Sequence, residues 1–119
     1  MSLFSGSAYI CATDADAAVA WYREKLGCGR PQYTRDDTGE IAVLTFDSSD
    51  KLNGISIGTT PNTESEPIPV LFSSNVKKAH AMLVSQGVDV DPIQTDRQGN
   101  EYFQFRDLDG NVIEVCNEF

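Results

Sequence analysis

Basic residues are scarce in this 119-residue chain: nine Lys plus Arg stand against 18 Asp plus Glu, a net charge of −9 with histidine neutral. The counterion release that drives nucleic-acid binding needs clustered cations, so nucleic acid and anionic membrane surfaces are poor partners. Small molecules remain, cationic ones included, and the plainer role of the charge is solubility. Histidine is scarcer still. His80 alone occurs, in KKAHAML, and a metal triad of two histidines and a carboxylate cannot be built from it within one chain. It reads as a helix residue, half-buried or at the surface. The three cysteines, Cys11, Cys28 and Cys116, have neither CxxC nor CxxH spacing, which argues for buried reduced thiols over a disulfide framework or a zinc cluster. GxSxG, GxxxxGK[ST] and HExxH do not occur, so a nucleophile elbow, a P-loop and a zincin helix have no anchor. No apolar run approaches the ~18 residues of a membrane span. The opening MSLFSGSAYICA has no basic stretch before its apolar residues, and the chain reads as cytoplasmic. Its length excludes a (β/α)₈ barrel of about 250 residues. With 40% hydrophobic and 23% charged residues it reads as one soluble domain.

What is present is periodicity. SAYICA, residues 7–12, is a short apolar run that meets the N-cap types Thr13 and Asp14. In ADAAVAWYREKLG that follows, Ala15, Val19, Tyr22 and Leu26 recur at helical spacing, and Gly27 sits where a C-cap glycine belongs. PQYTRD, EIAVLTFD and NGISIGT then have strand character. TPNTESEPIP, with three prolines, reads as a linker. After it the order repeats: IPVLFSS as a strand, Ser74 or Asn75 as an N-cap, VKKAHAMLVSQG as a helix ending at Gly87, and VDVDPIQT, EYFQFRD and NVIEVCNEF as strands.

Overlaid at an offset of about 60, the halves place Gly27 on Gly87, Pro31 near Pro92 and Asp47 on Asp107. The fold class is therefore α+β, with two tandem βαβββ modules: module one 5–59, linker 60–67 and module two 68–119. One helix covers one face of each sheet, so the other face must be buried by its twin or by a ligand, and two curved sheets leave a partly open trough. In the turn DLDGN, Asp107 and Asp109 favour side-chain-to-backbone bonds, Gly110 permits positive φ and Asn111 tolerates it.

FQFRDLDGNVIEV resembles the strand-turn-strand signature of the vicinal oxygen chelate superfamily, which includes glyoxalase I, extradiol dioxygenases and bleomycin-resistance proteins. ATDADAAVAWYREKLG is similar to that superfamily's first strand-to-helix segment, Trp21 and Tyr22 forming its aromatic pair, which reads as core. The resemblance implies four inward positions around one ion in the metal-using members. Carried onto this chain they are Ser7, Ser56, Ile68 and Glu114, and only Glu114 is a competent divalent-metal ligand.

The last strand places Ile113 and Val115 on one face and Val112, Glu114 and Cys116 on the other. If the aliphatic pair packs on a helix, Glu114 enters the trough, where it engages a ligand or pairs with Arg106 or a hydroxyl. Tyr9, Cys11, Val70 and Phe72 join it, with Tyr102, Gln104 and Arg106 the favoured alternate set of EYFQFRD; such aromatics suit either a pocket or a core. The reading is a metal-free protein that sequesters a partly hydrophobic small molecule, cations included, with no cofactor. A ligand-binding set of Tyr9, Cys11, Ser56, Phe72, Tyr102, Gln104, Arg106 and Glu114 would carry it. The alternative is a lyase, isomerase or dioxygenase of the glyoxalase I type using a divalent metal; a regulatory or immunity module is a third class. The resemblance also implies a homodimer.

Overall fold

The computed structural model describes residues 3–36, 39–47, 50–59 and 68–117. The linker 60–67 lies outside them. Strand β1 (Ser7–Cys11) leads into helix α1 (Ala15–Leu26), followed by β2 (Gln32–Asp36), β3 (Gly39–Asp47) and β4 (Asp50–Gly58). The second module runs β5 (Val70–Ser73), α2 (Val76–Ser85), β6 (Asp89–Val90), β7 (Gln94–Thr95), β8 (Glu101–Arg106) and β9 (Val112–Asn117).

The helices start and stop where their caps dictate. Asp14 accepts from the Ala17 amide and Asn75 from the Lys78 amide, each satisfying an otherwise orphaned donor of the first turn. Gly27 closes α1 at φ +74°. In α2 the cap position is Gln86, one residue earlier than the sequence overlay suggests, and Gly87 follows it at φ +78°. The Val88 amide reaches back to the Leu83 carbonyl and the Gly87 amide to the Val84 carbonyl, a Schellman closure that a left-handed residue makes possible.

The sheets have strand orders β1-β4-β3-β2 and β5-β9-β8-β6, with β7 also on β8. In each module the first strand lies parallel to the last, β1 on β4 and β5 on β9. The segment VDVDPIQT is not one strand but two of two residues, because Pro92 has no amide to donate and restricts Asp91 before it. The modules join through backbone bonds: the Ser5 amide donates to the Phe72 carbonyl at 2.8 Å and the Phe72 amide to the Ser5 carbonyl at 2.9 Å.

One hydrophobic cluster lies between the sheets and the helices. Ile10, Leu44, Ile55 and Ile57 from module one meet Leu71, Phe103, Phe105, Ile113 and Val115 from module two, with Tyr22 and Leu83 from the helices. Every strand residue in that list alternates with one on the opposite face. A single cluster thus covers the helix-bearing faces of both sheets.

Candidate functional site

The helix-free face is assembled by register. In module two, Val70, Glu114 and Gln104 stand side by side across β5, β9 and β8, and Phe72, Cys116 and Tyr102 form the next row. In module one Tyr9 pairs with Ser56, which pairs with Val43, and Cys11 pairs with Gly58. Tyr9, Cys11, Ser56, Phe72, Tyr102, Gln104, Arg106 and Glu114 therefore all occupy the face opposite the helices, and all are half-buried. The alternation of EYFQFRD is resolved by burial: Phe103 and Phe105 are sealed in the core, leaving Tyr102, Gln104 and Arg106 on the opposite face of the strand.

Two glycines shape this surface. A Cβ on Gly58 would collide with the Tyr9 hydroxyl and stand 3.1 Å from its Cζ, so the tyrosine ring lies across β4 only because Gly58 has no side chain. A Cβ on Gly6 would meet the Phe72 ring at 3.3 Å, so this ring lies against the chain entering β1. Tyr102 is steered from its far end, its hydroxyl donating to Gln94 Oε1 at 3.3 Å.

Glu114 and Arg106 share a face but not a bond. Arg106 instead donates from Nη1 and Nη2 to the two carboxylate oxygens of Asp91, at 2.8 and 3.3 Å, which corrects the pairing of Arg106 with Glu114 as an option. Asp91 is reached because β6 pairs Asp89 with Arg106 and the chain then carries Asp91 alongside Gln104. The hydrogen bonds and charge of Asp91 push the Arg106 guanidinium further above its ordinary range. The Glu114 carboxylate has no hydrogen-bond or ion-pair partner among the described residues, and the residue is half-buried. Beside it, burial and then the Glu114 charge raise the Cys116 thiol above its usual value.

The four positions of the expected ion cage do not converge as ligands. Ser7 is exposed, Ile68 lies before β5 and is 44% exposed, and Ser56 offers a neutral hydroxyl, so Glu114 is the only strong donor of the set. Among the described residues no three His, Cys, Asp or Glu side chains come together. This donor set does not fit a divalent transition ion, which takes three or more imidazole, thiolate or carboxylate ligands.

The matching segment after β8 holds a different kind of site, structural in character. Asp107 is buried and accepts from the Tyr22 hydroxyl at 2.6 Å, from the amides of Asp109 and Asn111 and from Asn111 Nδ2. Asn111 does not take positive φ; its side chain instead reaches the Cys11 carbonyl at 2.9 Å. Sequence reasoning missed this link between modules because Tyr22 lies 85 residues from Asp107 and only its helical spacing was readable. His80 is half-buried on α2, its Nε2 at 2.9 Å from the Asp91 carbonyl and its ring edge-on to Phe103.

The family model for the Glyoxalase/Bleomycin resistance protein/Dioxygenase superfamily matches residues 6–115. The chain belongs to this superfamily. A glyoxalase/bleomycin resistance protein/dioxygenase superfamily member from Sphaerobacter thermophilus is similar over 95% of both chains at 20% identity, with a TM-score of 0.74. An antibiotic binding protein from Streptomyces sp. CB03234, TnmS3, also reaches 0.74 at 19% identity, covering 95% of this chain and 93% of its own. Lactoylglutathione lyase from Agrobacterium tumefaciens reaches 0.65 at 17% identity, over 94% of this chain and 91% of its own. A search of curated proteins found no significant match. At these identities the structural likeness establishes the open α+β superfamily fold; activity must be argued from the site. No helix among the described residues is long and apolar enough to cross a membrane.

Proposed function

We propose that this superfamily member is a small-molecule-binding protein that sequesters a partly hydrophobic ligand, cations included, in the trough without a metal ion. The observation that carries the reading is the identity of the four cage positions: three are Ser7, Ser56 and Ile68, and Glu114 is the single carboxylate. Tyr9, Phe72 and Tyr102 supply aromatic walls, Ser56 and Gln104 supply neutral hydrogen-bonding groups, and Glu114 supplies the one anion of the module-two rows. A mostly apolar lining with few polar groups suits a small organic ligand, and aromatic faces with a carboxylate favour an ammonium group. The likeness in fold to an antibiotic binding protein supports the same class. We also propose a homodimer in which each trough is completed by the partner copy; light scattering giving the mass of one 13.0 kDa chain would overturn that.

The test combines metal analysis with binding. Protein from cells supplied with nickel, zinc and iron is measured for bound metal, and calorimetry follows titration with polycyclic aromatic amines and their neutral analogues. Saturable binding of an amine, weakened by Glu114→Gln and unchanged by chelator, is the expected result. Stoichiometric metal that disappears in Glu114→Ala, with isomerisation of a glutathione hemithioacetal, would instead establish the metal-dependent lyase that Glu114 alone recommends.

A further inference from the structure

A cavity of about 410 Å³ opens where residues of the two modules meet, and of the trough set it includes Arg106. Its walls come from both modules: Trp21 of α1, Val88 and Asp89 entering β6, and Arg106, Asp107 and Leu108 at the β8–β9 turn. Trp21 is the chain's single tryptophan. Its indole is stacked on the buried Phe105, with centroids 6.5 Å apart and planes 20° apart, and meets Tyr22 edge-on at 4.9 Å. These contacts fix the ring as a rigid wall. Leu108 forms an apolar rim, 53% exposed.

The charges around the cavity can be resolved one at a time. Asp107 already accepts from Tyr22, Asp109 and Asn111. Arg106 is held by both oxygens of Asp91. Lys25, at the end of α1, donates to the Gln86 carbonyl at 2.7 Å. Asp89 is exposed, lines the cavity and accepts no hydrogen bond from a described residue; its charge acts on its cross-strand neighbour Arg106, whose guanidinium is already bound by Asp91. Among the lining residues one cation, Arg106, thus stands against the carboxylates of Asp89 and Asp107.

We infer that this inter-module cavity is a second small-molecule site, selective for an aromatic ammonium compound whose ring lies between Trp21 and Leu108 and whose cation faces Asp89. A desolvated ring on indole and leucine, with a cation near both an indole face and a carboxylate, uses the two interactions this lining offers. The site does not depend on the trough reading, since none of its walls is a trough anchor except Arg106, whose guanidinium is already occupied.

The probe is phenethylammonium, with 2-phenylethanol and phenylacetate as neutral and anionic counterparts, and the readout is the single indole N–H cross-peak of Trp21 in a ¹H–¹⁵N spectrum. A saturable shift with a Kd on the order of a millimolar is expected for so small a ligand. Replacing Asp89 by Asn should weaken it about threefold, as for an exposed ion pair, and should remove the preference over 2-phenylethanol. Leu108→Ala should weaken all uncharged ring binding, and Glu114→Gln should change nothing. No saturable shift, phenylacetate binding as tightly as the amine, or loss of the shift in Glu114→Gln would each overturn the assignment; the last would place the probe in the trough. Failure of the trough titrations leaves this result unaffected.

Discussion

The Tyr22 hydroxyl and the Asp107 carboxylate are both withdrawn from water, and their bond shows what a family-like motif is for physically. Burial first, then the Asp107 charge and hydrogen bond, push the Tyr22 phenol above its ordinary range. Tyr22→Phe leaves the ring's packing in place and removes one donor from a buried anion, so we expect a loss of about 1.5–3 kcal/mol in urea unfolding. Cys28 carries a pH signature. Burial raises its thiol from 9.0 to about 12. The folded chain holds that proton more tightly than the unfolded chain does, so stability is full below pH 9.0 and falls as pH climbs towards about 12. Urea midpoints measured across that interval should decline less steeply in Cys28→Ala than in the parent chain. A flat profile in the parent would contradict the burial assigned to this thiol. At this scale the sequence was readable for identity and strand phase but not for partners. Alternation placed Tyr102, Gln104, Arg106 and Glu114 on one face, yet nothing local could tell that Arg106 would turn to Asp91, which is brought near only by β6.

Elements were legible because their signals are local. Apolar spacing, N-cap residues and glycine ends marked α1 and α2, and period-two alternation marked the strands. The break in VDVDPIQT was also written locally, in Pro92. The α2 terminus offers a test of how much one backbone conformation contributes. Gly87 sits at φ +78°, and a Cβ built there meets nothing within 4 Å, so Gly87→Ala adds no clash and only forces an L-residue into the left-handed region. The expected cost is about 1 kcal/mol by chemical denaturation. The two β8 turns show one device used twice. Asp96 accepts from the amides of Gln98 and Asn100, just as Asp107 accepts from those of Asp109 and Asn111, and Gly99 and Gly110 take φ +84° and +81°. These donors, led by the Asn100 amide, hold the exposed Asp96 carboxyl below its usual 3.8. Both turns have the form Asp-x-x-Gly-Asn, a signal present in the sequence that pairwise overlay of the modules does not reveal because both copies belong to module two.

The whole molecule is where duplication and unity meet. An internal repeat suggests two units, each able to fold, but the bonds that cross between them are among its best formed. The Ser5–Phe72 backbone pair, Tyr22 with Asp107, Asn111 with the Cys11 carbonyl, and Lys25 with the Gln86 carbonyl all join module one to module two. The hydrophobic cluster is shared as well. A unit of about 55 residues buries too small a fraction of its surface to be more than marginally stable alone, so each module needs the other. We therefore expect a single cooperative transition. Trp21 fluorescence reports α1 in module one, and alkylation of the buried Cys116 reports β9 in module two; in urea the two should give the same midpoint and slope. Asn111→Ala, which cuts the tie to Cys11, should lower both midpoints together, by about 1 kcal/mol. If the fluorescence and labelling curves separate, the modules unfold in sequence. The trough and the inter-module cavity would then rest on an interface that opens before the core does.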